Sequence, residues 1–181
     1  YTELGEGVND AMEITEIGIA PRPFQKPHPQ IYGGFSASMR TAKFWARYKG
    51  KPIVMASDLD FLKALWNAYK IEAEEKYNYT PTPGDEAAWG GLMICAKTDN
   101  EAEQLAHDMK WFWEKWAVPF GQPFPEMLFG SPDTLNKRIE QASKAVDINE
   151  MFLIIPQGLH NRDEVLTSLE LFGEKVIPNF S

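Results

Sequence analysis

The sequence predicts a parallel α/β fold, and two observations carry that reading. Short apolar runs alternate with longer amphipathic segments along most of the chain, the pattern of right-handed βαβ units. Start and stop signals fall at the junctions: Ser131 followed by Pro132, Asn161 followed three residues later by Glu164, and Gly50 at the end of an amphipathic run.

Taken in order, Ile14, Ile17 and Ile19 stand between polar neighbours in a run that stops at Pro21, so residues 14–20 are expected as a peripheral strand. Residues 25–29 form an extended connector, because a residue before proline is pushed out of the helical region. The apolar run at residues 30–33 opens the first β/α unit, with a helix over about 38–49. Residues 52–56 precede a helix over about 59–77, and residues 92–96 precede one over about 101–116. A further helix over about 132–146 comes before the strand at 151–155 and a last helix over about 162–176. Four core strands are expected, and residues 78–85 and 119–125 are the loop or lid candidates. An open doubly wound sheet and half of a (β/α)8 barrel both satisfy this pattern.

Composition narrows the function. With 181 residues, 44% of them hydrophobic, the chain can bury one core of single-domain size. A net charge of -8 disfavours nucleic acid and anionic membrane surfaces, since no basic excess exists to release counterions. Cys95 is the single cysteine and sits in an apolar run, so a buried, inert thiol and a reducing, cytoplasmic location are expected. No apolar run reaches membrane-spanning length, and the start at Tyr1 suggests a fragment. No paired-cysteine metal spacing, HExxH or GxSxG occurs, so no metal is expected.

The most informative stretch is Gly33-Gly34-Phe35-Ser36-Ala37-Ser38-Met39-Arg40, which leaves a strand and enters a helix. Glycine permits close backbone approach, and the helix start offers amide donors, a positive dipole end, serine hydroxyls and the Arg40 charge. These groups suit a phosphate. A serine N-cap and a tight turn account for the same letters, and neither the GxGxxG nor the P-loop spacing is present.

The run Pro27-His28-Pro29-Gln30-Ile31-Tyr32 leading into Gly33-Gly34-Phe35-Ser36-Ala37-Ser38 resembles the fifth strand and FMN phosphate loop of the bacterial luciferase-like flavin-dependent monooxygenases. Lys97-Thr98-Asp99-Asn100-Glu101-Ala102, Gly130-Ser131-Pro132-Asp133-Thr134-Leu135 and the ending from Ser168 to Pro178 resemble later segments of that family in the same order. The resemblance implies one partial domain over residues 1–181, the C-terminal half of a TIM-type (β/α)8 barrel with about strands five to eight, where a complete barrel takes about 250 residues. It further implies FMN as cofactor, held by Gly34, Phe35, Ser36, Ala37, Ser38, Met39 and Arg40, with oxygenation of a small organic substrate and a flavin reductase as supplier. A deazaflavin-dependent oxidoreductase of the same superfamily, or a non-catalytic flavin-binding or self-associating remnant, are the alternatives. A half barrel exposes two sheet edges, so a homo-oligomer or association with the missing half is expected.

Among single residues, His160 would sit at the catalytic end of such a barrel, and Asp58 and Gln157 end strands on the same side. His28 is expected to be structural and His107 solvated. Trp111, Phe112, Trp113 and Trp116 are expected in packing or an interface, and Glu72, Glu74 and Glu75 on a solvated helix face.

Overall fold

The computed structural model describes residues 7–15, 23–26, 28–34, 38–121, 125–155 and 161–180. The chain divides into two compact units, Tyr1–Gln30 and Ile31–Ser181. In the first, an antiparallel bridge joins Val8 to Ile14, and the Asn9 side-chain oxygen accepts from the amides of Ala11 and Glu13 at 3.0 and 2.9 Å to hold the turn between them. The expected peripheral strand is represented there by Ile14 alone; residues 16–20 lie outside the described residues.

In the second unit the elements run β1 (Tyr32–Gly33), α1 (Met39–Arg47), β2 (Lys51–Val54), α2 (Leu59–Tyr77), β3 (Ala88–Cys95), α3 (Asp99–Phe112), β4 (Met127–Gly130), α4 (Pro132–Ala145), β5 (Met151–Ile154) and α5 (Arg162–Lys175). Every strand pair is parallel. Trp89 is paired on both sides, to Val54 and Met151, and so is Leu92, to Met127 and Ile154. A strand has only two edges, so β2 and β4 share one edge of β3, end to end, while β5 takes the other. The Glu126 amide, which donates to the Met55 carbonyl at 3.0 Å, marks where β4 takes over from β2.

That tandem arrangement explains where the helices lie. Steps from β1 to β2, β2 to β3 and β4 to β5 all advance across the sheet in one direction, and right-handed crossovers then put every connecting helix on one face. Val54, Trp89, Met93, Cys95 and Leu128 form a single core there with Ala42 and Ala46 of α1, Leu62 and Leu65 of α2, Leu135 and Ile139 of α4, and Phe172 of α5. The step from β3 to β4 runs backwards, so the same handedness sends α3 to the other face. Its Ala102 and Ala106 pack on Leu92, Ile94, Met127 and Phe129 in a second cluster. Burying a side chain such as Leu62 or Leu65 contributes about 1.5–3 kcal/mol.

Two departures from the sequence reading stand out. Residues 127–130 form a fifth strand, and β3 begins at Ala88 rather than near Leu92. Both belong to one packing event: a Cβ on Gly90 would lie 1.7 Å from the Phe152 carbonyl oxygen, and one on Gly91 would lie 2.1 Å from that of Glu126. The flanking strands lean their backbones into the space that side chains would fill.

Candidate functional site

Among the described residues the five α-helices begin at the carboxyl ends of the strands, so five helix N-termini gather at one end of the sheet. Four of them carry their own negative charge. Asp58 caps α2 by accepting from the amides of Asp60 and Phe61 at 2.9 and 3.1 Å, which makes it a cap rather than a ligand group. Thr98 caps α3, where Asp99 and Glu101 occupy the first turn. Ser131 caps α4, with Asp133 behind it, and α5 opens with the full capping box of Asn161 and Glu164 expected from the sequence. The Asp99 carboxylate also accepts from the Ser131 amide at 2.7 Å and the Thr134 hydroxyl at 3.0 Å, bonds that hold its pKa below the usual carboxylate value and tie α3 to α4.

Helix α1 differs. It has no acidic residue in its first turn, and Arg40 stands there instead, exposed. Ser38 is its N-cap: the hydroxyl accepts from the Thr41 amide at 3.2 Å and lies 2.9 Å from the Thr41 hydroxyl, so the capping explanation holds for Ser38. The Ser38 carbonyl takes the amides of Thr41 and Ala42. The amides of Met39 and Arg40 belong to the helix start, whose first amides have no partner within the helix.

The two glycines before α1 separate cleanly. A Cβ on Gly33 would lie 2.0 Å from the Trp45 indole, so Gly33 is there to seat that ring against the sheet. Among the described residues nothing lies within 4 Å of where a Gly34 Cβ would be. Internal packing therefore accounts for Gly33 and leaves Gly34 unaccounted for. Phe35, Ser36 and Ala37, the middle of the expected phosphate loop, lie outside the described residues, as do Gln157 and His160.

A concavity of about 790 Å³ lies over the end of β3 between α3 and α5, walled by Lys97, Glu101, Gln104, Arg162 and Thr167. Cys95 touches its floor, but burial pushes that thiol up to about 11, which fits the inert role expected for it. His107 is exposed on α3, and His28 Nδ1 donates to the Pro29 carbonyl at 2.7 Å, a local structural bond. The aromatic group divides: Trp113 packs on the second core cluster, whereas Trp111, Phe112 and Trp116 are about half exposed around a π-helical turn at Trp113–Ala117. Glu72 departs from the expected solvated face; it is buried and paired with Lys76 at 2.8 Å, while Glu74 and Glu75 are exposed.

Sequence reasoning missed a polar network at the opposite ends of the strands. Lys51 Nζ lies 2.7 Å from Glu150 and 2.9 Å from Asp85, and the Tyr32 hydroxyl donates to Glu150 at 2.7 Å. Its members are up to 118 positions apart, so no local spacing announces it. The amino ends of barrel strands are where such networks serve stability rather than chemistry.

No family model matches the chain. A curated relative does: 3,6-diketocamphane 1,6-monooxygenase of Pseudomonas putida is 26% identical over 138 residues, covering 62% of this chain and 36% of that protein. The chain is similar to that monooxygenase over the aligned residues, in line with the resemblance read from the sequence. Among solved structures, the oxygenating constituent of the P. putida 3,6-diketocamphane monooxygenase in complex with FMN, a type II Baeyer-Villiger monooxygenase, superposes with a TM-score of 0.70 at 22% identity, over 85% of this chain and 50% of that one. A coenzyme F420-dependent tetrahydromethanopterin reductase from Methanopyrus kandleri follows the same fold at TM-score 0.54 and 17% identity, over 83% and 50% of the two chains. The chain thus spans about half the length of these solved monooxygenase and reductase chains, with the fold that the resemblance implied.

Proposed function

We propose that this chain supplies the phosphate-binding part of an FMN site in a flavin-dependent monooxygenase. The observation that carries this reading is the contrast at the strand ends: α1 alone among the five helix starts lacks its own carboxylate, and Gly34 beside it keeps open a space that no side chain of the described residues fills. In this proposal the backbone at Gly34, Ser38, Met39 and Arg40, with Phe35, Ser36 and Ala37, holds the phosphate, and the Arg40 guanidinium adds charge. The relative solved with FMN supports the choice of ligand.

When bound, reduced FMN would supply the oxygen-activating chemistry, and a small organic substrate would be oxygenated. The chain's own part is to orient the cofactor through its phosphate and, through α3 over the upper sheet face, to exclude water from that side. A flavin reductase as partner and a cytoplasmic location belong to the same proposal; among the described residues no helix is long and apolar enough to cross a membrane.

Paired titrations with FMN and riboflavin test the site. Arg40→Glu should weaken FMN binding by about tenfold or more, the worth of one charge-assisted contact, and leave riboflavin binding unchanged. Equal affinity for the two ligands in the native chain would defeat the proposal. A deazaflavin-dependent hydride transfer is the second reading, favoured by the likeness to the F420-dependent reductase, and the reduced cofactor that supports turnover decides between them.

A further inference from the structure

Three segments meet on one side chain behind the start of α1. The Trp45 indole lies where two glycines would otherwise carry side chains: a Cβ on Gly33 would stand 2.0 Å from its Cε2 and Nε1, and one on Gly50 would stand 2.4 Å from its Cε3. Gly33 ends β1 and leads into Gly34, and Gly50 is the last residue before β2. The ring is therefore pressed against the backbone that enters α1 and against the backbone that leaves it, while its remaining surface packs on the main core cluster.

The end of α1 is arranged around this seat. The Gly50 amide donates to the Trp45 carbonyl at 3.1 Å and the Lys49 amide to that of Ala46 at 3.3 Å, the two bonds of a Schellman closure. The left-handed residue of that closure is usually glycine, yet here it is Lys49, at φ 52°. Left-handed backbone strains a residue that carries a Cβ. The glycine stands one position later, where the indole needs the space.

Strain of this kind persists where its surroundings over-determine the backbone, and it clusters at functional sites. The surroundings come from α2 and the residues just past it. The Tyr79 hydroxyl donates to the Ala46 carbonyl at 2.6 Å, and the Tyr69 hydroxyl donates to the Gly50 carbonyl at 3.1 Å. Lys49 Nζ lies 4.8 Å from the centre of the Tyr79 ring. Ala42 and Ala46 alone would give α1 a smooth inner side, free to slide; the indole and the two tyrosines fix its place along the β1-α1-β2 step.

We propose that Trp45 is the positioning residue of the phosphate site, holding the Gly33-Gly34 exit of β1 at a set spacing from the first amides of α1 so that both reach one phosphate. The inference rests on the FMN reading above. Trp45 acts through the backbone rather than on the ligand: six residues of helix, about 9 Å along the axis, separate it from Met39. Donors already in place bind an anion more tightly than donors that must first be ordered.

Titrations of the full chain with FMN and with riboflavin test it, read as the ratio of the two affinities. The native chain should prefer FMN. Trp45→Ala should cut that preference by about tenfold or more with riboflavin affinity unchanged, and Trp45→Phe, which keeps a ring beside both glycines, should restore most of it. A purely structural role would lower the melting temperature and leave the ratio alone, so a folded Trp45→Ala chain with the native ratio overturns the inference while the phosphate reading stands. A native chain with no preference for FMN removes that reading and this inference with it. Should Trp45→Ala fail to fold by circular dichroism, Gly50→Ala decides, because its methyl displaces the indole without removing it: a lowered ratio supports the inference, and the native ratio overturns it.

Discussion

The hydroxyl of Ser168 accepts the amide hydrogen of Cys95 at 2.8 Å, a bond from helix α5 to the last residue of β3. Among the described residues β5 pairs with β3 no further than Leu92–Ile154, and helix α5 supplies a side-chain acceptor to the Cys95 amide. The same hydroxyl points at Met93 Sδ, 3.7 Å away. Both residues are buried, so Ser168→Ala strands an amide in the core. The expected loss is about 1–3 kcal/mol, read from the midpoint of urea unfolding.

Gly91→Ala and Gly34→Ala should behave in opposite ways. At Gly91 the new methyl would stand 2.1 Å from the Glu126 carbonyl, and β4 would have to move; a loss of about 2–4 kcal/mol or failure to fold is expected. At Gly34 no neighbour among the described residues lies within 4 Å, so stability should change by less than about 0.5 kcal/mol. FMN affinity should nevertheless fall, since the methyl would stand where the phosphate is proposed to approach. Thermal melts and flavin titrations on the two variants separate packing from binding.

The Lys51–Glu150–Tyr32 network should shape acid stability. Partial burial pushes the Glu150 pKa up, but the hydrogen bonds from Lys51 and Tyr32 outweigh it and hold the group below its ordinary value. A carboxylate depressed in the folded state stabilises above its unfolded pKa, near 4.3, and loses that contribution as pH falls through the folded value. Glu150→Gln should therefore cost about 1 kcal/mol or less at pH 7, given its partial exposure, and the two proteins should converge below about pH 4. Denaturation curves between pH 7 and pH 3 check this. Glu126 acts with the opposite sign, because burial raises its pKa and the neighbouring Arg138 only partly offsets that.

Cys95 should resist thiol reagents. Burial lifts its pKa to about 11, and the side chain is 1% exposed. At pH 8 a disulfide reagent should label the folded chain only at the rate of global opening, and the unfolded chain at once.

Much of this architecture was legible in the sequence, for reasons that are local. Caps are local, so Ser38, Ser131 with Pro132, and Asn161 with Glu164 marked their helices correctly, and α2 runs from Leu59 to Tyr77 as expected. The fifth strand was not legible. Met127–Gly130 is only four residues long and runs directly into Ser131-Pro132, whose turn signal dominated the segment. The early start of β3 was hidden by Gly90 and Gly91, which weaken any strand pattern and are required here only because two other strands close in on them. At the candidate site the helix start and Arg40 were readable, whereas the different duties of Gly33 and Gly34 depend on where Trp45 lies. The polar network, the burial of Glu72 and the reversed step that carries α3 to the second face are tertiary facts with no local signature.

Amide chemical-shift mapping of the chain with FMN tests the phosphate site most directly. Shifts should concentrate on Gly34 and on Ser38 to Arg40, and those at Met39 and Arg40 should vanish when riboflavin replaces FMN. Equal shifts with both ligands, or a phosphate-dependent response at the capped start of α5 instead, would contradict the assignment.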